Sequence, residues 1–236
     1  MATSARPAAL DPIASRLHTA GLLLIIASFA IAGRVLVAHQ SATALEEFGR
    51  LRIYWIALAS EWFLLVYVLW GLRRQVTTVR TVIDESFWAL SRLSLYAAIA
   101  VGAAIVWLGC GFVLGLVLPA QQPDQIRHLQ SLLPRGGMEK SLWVLLSASA
   151  GFCEEFLYRG YLQQQFRRLT GRLSAGIFLQ AVVYGTAHAA LPREIVVTAM
   201  CLGLLLGALA AWRRSLVPGM LLHAVLDIVP GLLSRT

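Results

Sequence analysis

About seven long apolar runs decide most of what this chain can become: 18–38, 53–72, 93–118, 141–164, 174–191, 195–212 and 216–233. A helix needs about 20 apolar residues to cross a hydrocarbon core of ~30 Å. The runs are continuous rather than alternating, so they predict helices and not barrel strands. In lipid a backbone must satisfy its own hydrogen bonds. The expected fold class is therefore all-α, a polytopic transmembrane bundle of about seven spans, within six to eight. Composition agrees, with 58% hydrophobic and only 14% charged residues against about 45–50% and 25% in soluble domains. The mean hydropathy is +0.70. The first run is too long for a signal-peptide core and is followed by more spans, so it reads as a transmembrane helix.

The runs divide the chain into a polar N-terminal tail at 1–17, about three spans with their loops at 18–139, and a core of about four spans at 140–236. Segment 73–92 is a loop with room for an amphipathic interfacial turn. Segment 119–141, with Pro123, Pro134, Gly136 and Gly137, is expected to be an external loop, and 165–173 a basic one. In the third run Gly102, Gly109, Gly111 and Gly115 suit close helix packing. The net charge of +8 comes from arginines in short loops, where anionic headgroups attract them; no nucleic-acid partner is expected. More basic residues fall on the side of the N-terminal tail and of the loops at 73–92, 165–173 and 213–214. That bias favours a cytoplasmic N-terminus in a bacterial-type inner or plasma membrane. Cys110, Cys153 and Cys201 lie inside apolar runs without CxxC spacing and read as small buried thiols.

Cysteine and tyrosine aside, few ionisable groups sit inside the runs; those of the last six are Glu61, Glu154, Glu155, Arg159, His188, His223 and Asp227. A charge in hydrocarbon costs about 2.5 kcal/mol or more, so such groups are paired, face a wet cavity, or do chemistry. At about 1.5 Å per residue, Glu154 lies ~15 Å from the basic side, His223 and Asp227 ~10–17 Å, and His188 ~20 Å. Three helices thus bring polar groups to one layer. Glu155 and Arg159 are i,i+4 and can pair, while Glu154 is turned about 100° away. His223 and Asp227 are also i,i+4, so Asp227 could accept a proton from His223 and fix its tautomer. Tyr184 and His188 share a face by the same rule.

Glu plus His in a desolvated site suits water activation, with the carboxylate as general base and an imidazole on the same water or on a developing oxyanion. No Gly-x-Ser-x-Gly or His-Glu-x-x-His motif is present. A catalytic Cys153 is disfavoured, because it faces about 100° away from Glu154. Each group also has a plain structural reading: Glu154 as an interhelical hydrogen-bonding acid, His188 and His223 as satisfied core histidines, Glu61 as a snorkelling or cavity-lining acid. Intramembrane Glu, His and Asp also mark proton relays. A proton-coupled transporter is therefore an alternative, although the sequence shows no repeated halves. A non-catalytic immunity or scaffold protein is another.

Glu154-Glu155-Phe156-Leu157-Tyr158-Arg159 resembles the EExxxR motif of the CPBP family, the CAAX-processing endopeptidases and bacteriocin-processing membrane proteins. Tyr184 to His188 is similar to its FxxxH motif, and His223 to Asp227 to its HxxxN or HxxxD motif. The likeness covers about 140–232. It implies an intramembrane glutamic endopeptidase acting on a membrane-associated protein or peptide, with no cofactor, although a buried Glu/His cluster could hold a divalent ion. By resemblance Glu154 and His188 activate water, and His223 with Asp227 supports the oxyanion. Glu155, Arg159 and Tyr184 are supporting residues. Tyr184 stands where Phe is usual. Asp227 stands where many members have Asn, and an ionised Asp cannot donate to an oxyanion.

Overall fold

The computed structural model describes residues 11–39, 47–74 and 90–234. Most of the expected N-terminal tail and the interfacial turn within 73–92 lie outside the described residues. Within them the chain is helical and carries no strand. Its elements are α1 (Arg16–His39), α2 (Glu47–Arg73), α3 (Leu90–Val117), α4 (Pro123–Leu132), α5 (Gly137–Glu154), a π-helical segment (Glu155–Leu162), α6 (Gln163–Thr170), α7 (Leu173–Ala187), α8 (Arg193–Arg213) and α9 (Val217–Leu233).

Each apolar run of the sequence has become one helical path, and together they form a helical membrane bundle. Helices α1, α2, α3 and α8 are long and apolar enough to cross a membrane. The shorter apolar helices α7 and α9 have 15 and 17 residues. At about 1.5 Å per residue they rise ~22 and ~26 Å, less than the ~30 Å core. The path from α5 through the π segment to α6 is unbroken and carries both adjacent acids and Arg159.

Several expectations are corrected. The external loop at 119–141 contains α4, which Pro123 in its first turn and the Gln122–Gln125 capping box start. The basic loop at 165–173 is helical to Thr170 and turns at left-handed Gly171. Helix α7 stops at Ala187, so His188 caps its end instead of lying within a span. Gly102, Gly109, Gly111 and Gly115 have no atom within 4 Å of an added Cβ. They make no close helix contact, because α3 lies at the bundle edge with Phe112 and Leu116 outward. Cys110, on the same helix, is exposed rather than buried.

The core forms where α7 packs on α8, α5 on α9 and α2, and α6 on α7. Helices α5 and α9 approach closely at Gly151. A Cβ there would sit 2.8 Å from the Met220 carbonyl and 2.9 Å from the Ala224 Cβ. Polar ties fix the rest. The Gln165 side chain accepts from Ile13 N–H and donates to the Ala14 carbonyl, holding the chain before α1 against α6. Arg50 of α2 meets buried Glu139 of α5 at 2.9 Å. The same carboxylate accepts from the backbone N–H groups of Arg135 and Gly136, capping α5. Burial opposes ionisation of Glu139, but the hydrogen bonds from Arg50, Arg135 and Gly136 outweigh it and hold the group below its ordinary range.

Two outcomes are expected. Gly151→Leu overpacks the α5–α9 contact by about 1–3 kcal/mol, measurable as a lowered unfolding midpoint in detergent; an unchanged midpoint contradicts the close approach. Glu139 contributes stability that is present above the ordinary carboxylate pKa and is lost as pH falls through its lowered folded value. Stability against pH should flatten over that acidic window in Glu139→Gln.

Candidate active site

The site begins with a widening of the helix. From Glu155 to Leu162 the backbone is π-helical, and every residue in that segment is buried. π-helical turns are rare and cluster at functional sites. Here the segment directs Glu155 and Arg159 inward together: Arg159 Nη1 lies 2.8 Å from Glu155 Oε1, with both side chains fully inaccessible. The Arg159 Cζ stands 4.5 Å from the Tyr184 ring centroid, a cation–π contact that holds the guanidinium from a second side.

His223 of α9 joins the same carboxylate. Its Nδ1 lies 3.1 Å from Glu155 Oε1. A carboxylate accepts, so Nδ1 carries the proton. This changes the expected role of Asp227, because Glu155 rather than Asp227 sets the His223 tautomer. Asp227 Oδ2 lies instead 3.5 Å from Nε2. Glu154 Oε2 is 3.7 Å from that same Nε2, and the Tyr184 hydroxyl 3.3 Å. One turn before His223, Gly219 makes the approach feasible, since a Cβ would lie 2.9 Å from Glu155 Oε2.

His188 is turned by its own helix end. Its Nδ1 donates to the Tyr184 carbonyl at 2.9 Å, which leaves a lone pair on Nε2 in the neutral ring. The His188 ring lies 4.9 Å from that of Tyr184 in an edge contact. Tyr184 thus touches Arg159, His188 and His223 at once. The hydroxyl that distinguishes it from Phe points at the His223 ring.

The two adjacent acids end in different surroundings. Glu155 is fully buried, while Glu154 retains 24% side-chain exposure. Glu154 lines a cavity of about 400 Å³ with Tyr158, Ala187, Leu191 and apolar residues of α1 and α2. Glu61 lines it too, and Ser149 Oγ donates to Glu61 Oε2 at 2.7 Å. Sequence reasoning left Glu61 outside the site. The depth arithmetic used for the other acids puts it about 18 Å from Arg73, in the layer of Glu154, and would have included it. Cys153 is buried and meets Ser149 rather than the cavity. Among the described residues no group of three or more His, Cys, Asp or Glu is disposed to hold a metal ion.

A family model described as Type II CAAX prenyl endopeptidase Rce1-like matches residues 138–229. The match covers less than half of the chain and agrees with the resemblance of this segment to the CPBP family of CAAX-type endopeptidases. It contains Glu154, Glu155, Arg159, Tyr184, His188, His223 and Asp227, and leaves α1 to α4 outside. The family supports a membrane-embedded peptidase in general terms. No curated protein and no solved structure matches the chain.

Removing one partner of a buried ion pair strands the other charge, at a cost of about 3–5 kcal/mol. Arg159→Leu should lower stability by that order in detergent unfolding. Arg159→Leu combined with Glu155→Gln should recover part of the loss. A single variant as stable as wild type would rule out mutual neutralisation of the pair.

Proposed function

We propose that this protein is an intramembrane glutamic endopeptidase, hydrolysing a peptide bond of a membrane-associated protein or peptide. One observation carries the reading: of two adjacent acids, Glu155 is neutralised by Arg159 and His223, while Glu154 faces a cavity without an ion-pair partner on its own helix. A cavity-facing carboxylate at this depth suits a general base.

Glu154 takes a proton from water, and the hydroxide adds to the peptide carbonyl carbon. The tetrahedral intermediate collapses with cleavage of the C–N bond. The proton on Glu154 then passes to the leaving amine. His188 Nε2, with its lone pair, accepts a hydrogen bond from the same water. The oxyanion role falls to His223 Nε2. Since Nδ1–H is engaged with Glu155, donation from Nε2 requires the imidazolium form. Asp227, an acceptor when ionised, flanks that nitrogen and orients it. Tyr184 positions both histidines.

The apolar walls that α1 and α2 add around Glu154 suit an extended apolar segment of the substrate. The same topology, with Arg73, Arg74, Arg167, Arg168 and Arg214 at one membrane face, fits a cytoplasmic N-terminus in a bacterial-type inner membrane.

Glu154→Gln and His188→Ala should each lower turnover by about 10²–10⁴-fold while leaving the unfolding midpoint near that of wild type. Comparative peptidomics of native membranes should then show an uncleaved precursor accumulating in Glu154→Gln. No precursor, together with Glu154-dependent ion flux in proteoliposomes, would replace hydrolysis by transport. Tyr184→Phe removes only a hydroxyl and should cost about 2- to 12-fold in kcat/KM, the worth of one hydrogen bond. A larger loss would give that hydroxyl a direct part in the chemistry.

A further inference from the structure

The Glu155–Arg159 pair accounts for only part of the Arg159 guanidinium. Nη1 is taken by Glu155, whereas Nε and Nη2 are buried with no hydrogen-bond partner. Buried guanidinium nitrogens left this way are rare. Arg159 is among the residues that line a cavity of about 340 Å³, together with Arg167, Arg214, Gln164 and Ser215. None of these residues lines the cavity of Glu154. One tight turn lines the arginine cavity, at left-handed Arg214 after α8. Position 214 is where a helix end prefers glycine. Of the non-glycine residues described, Arg214 alone has positive φ. The chain keeps an arginine on a backbone that suits glycine, and that arginine lines the cavity together with Arg159 and Arg167.

Three arginines converging with no carboxylate among the lining residues describe an anion site. Guanidinium forks match phosphate geometry, and basic pockets between transmembrane helices bind phosphorylated headgroups. We infer that this cavity binds a phosphate group at the basic membrane face, held by the exposed Arg167 and Arg214, with the buried positive charge of Arg159 behind them. The source is a lipid headgroup or a free phosphate. The proposal does not depend on hydrolysis.

The full chain is reconstituted in nanodiscs. In one arm the lipid is neutral phosphatidylcholine and inorganic phosphate is titrated against sodium chloride of equal ionic strength. In the other, phosphatidic acid is added to the disc and its retention is followed by native mass spectrometry. Binding in the first arm supports the site with free phosphate as a source; binding in the second alone supports it with a headgroup. In whichever arm binds, Arg167→Gln/Arg214→Gln should weaken affinity by about 10- to 100-fold, the worth of charged hydrogen bonds. Arg214→Gly relaxes the backbone, so it should keep or raise the unfolding midpoint while still weakening binding. That variant separates ligand loss from unfolding. Absence of binding in both arms overturns the inference, as does affinity unchanged in both variants.

Discussion

One carboxylate organises this protein. Glu155 Oε1 is shared by Arg159 at 2.8 Å and His223 at 3.1 Å, so a single buried negative charge ties the π segment to α9. Neither partner would be tolerable alone at this depth, because an unpaired charge in a low-dielectric interior costs more than its packing returns. The pairing also fixes a proton on His223 Nδ1, and so decides which face of that ring can meet Glu154, Asp227 and Tyr184. Charge neutralisation and site geometry are therefore one constraint. Gly219 belongs to it as well, because a Cβ there would come within 2.9 Å of Glu155 Oε2 and force the carboxylate or α9 to shift.

Much of this was legible in the sequence. The apolar runs gave the helical bundle because the bilayer allows so few backbone solutions. The i,i+4 spacing of Glu155 and Arg159 foretold their contact, and common depth foretold that Glu154, His223 and Asp227 would meet. What stayed hidden needed information that spacing does not carry. Nothing in Glu155 to Leu162 announces a π turn, since that widening is decided by what packs around it. The role of Glu155 toward His223 depends on how α9 rotates against α5, which is set by the close approach at Gly151. Glu61 was missed for a different reason. It stands alone in an early helix, and a lone intramembrane acid has no local partner from which to read its purpose.

Helix ends were the other weak point, and here the misreading matters chemically. Counting apolar residues carried the fifth run to Leu191, because Ala189, Ala190 and Leu191 look no different from a span interior. The backbone ends the helix at Ala187, with His188 in a bridge conformation and its ring bonded to the Tyr184 carbonyl. Had the helix continued, that carbonyl would have been occupied by the His188 backbone N–H. Termination frees it to orient the imidazole. The short α7 is thus a device that brings a helix terminus, with its unsatisfied carbonyls, to the depth of the acids.

The same economy explains the division between the matched segment and the rest. Residues 138–229 hold the ionisable groups of the proposed chemistry, yet they do not enclose Glu154 by themselves. Ile26, Phe29, Ile53 and Ile56 from α1 and α2 supply the apolar walls, and Glu61 adds a second carboxyl. The groups of the proposed chemistry must be held by several packed helices, and α5 to α9 provide that. Walls need only the right shape and polarity, and here they come from helices outside the matched segment. Exchanging α1 and α2 would then change what reaches Glu154 without touching the Glu155–Arg159–His223 network that supports it.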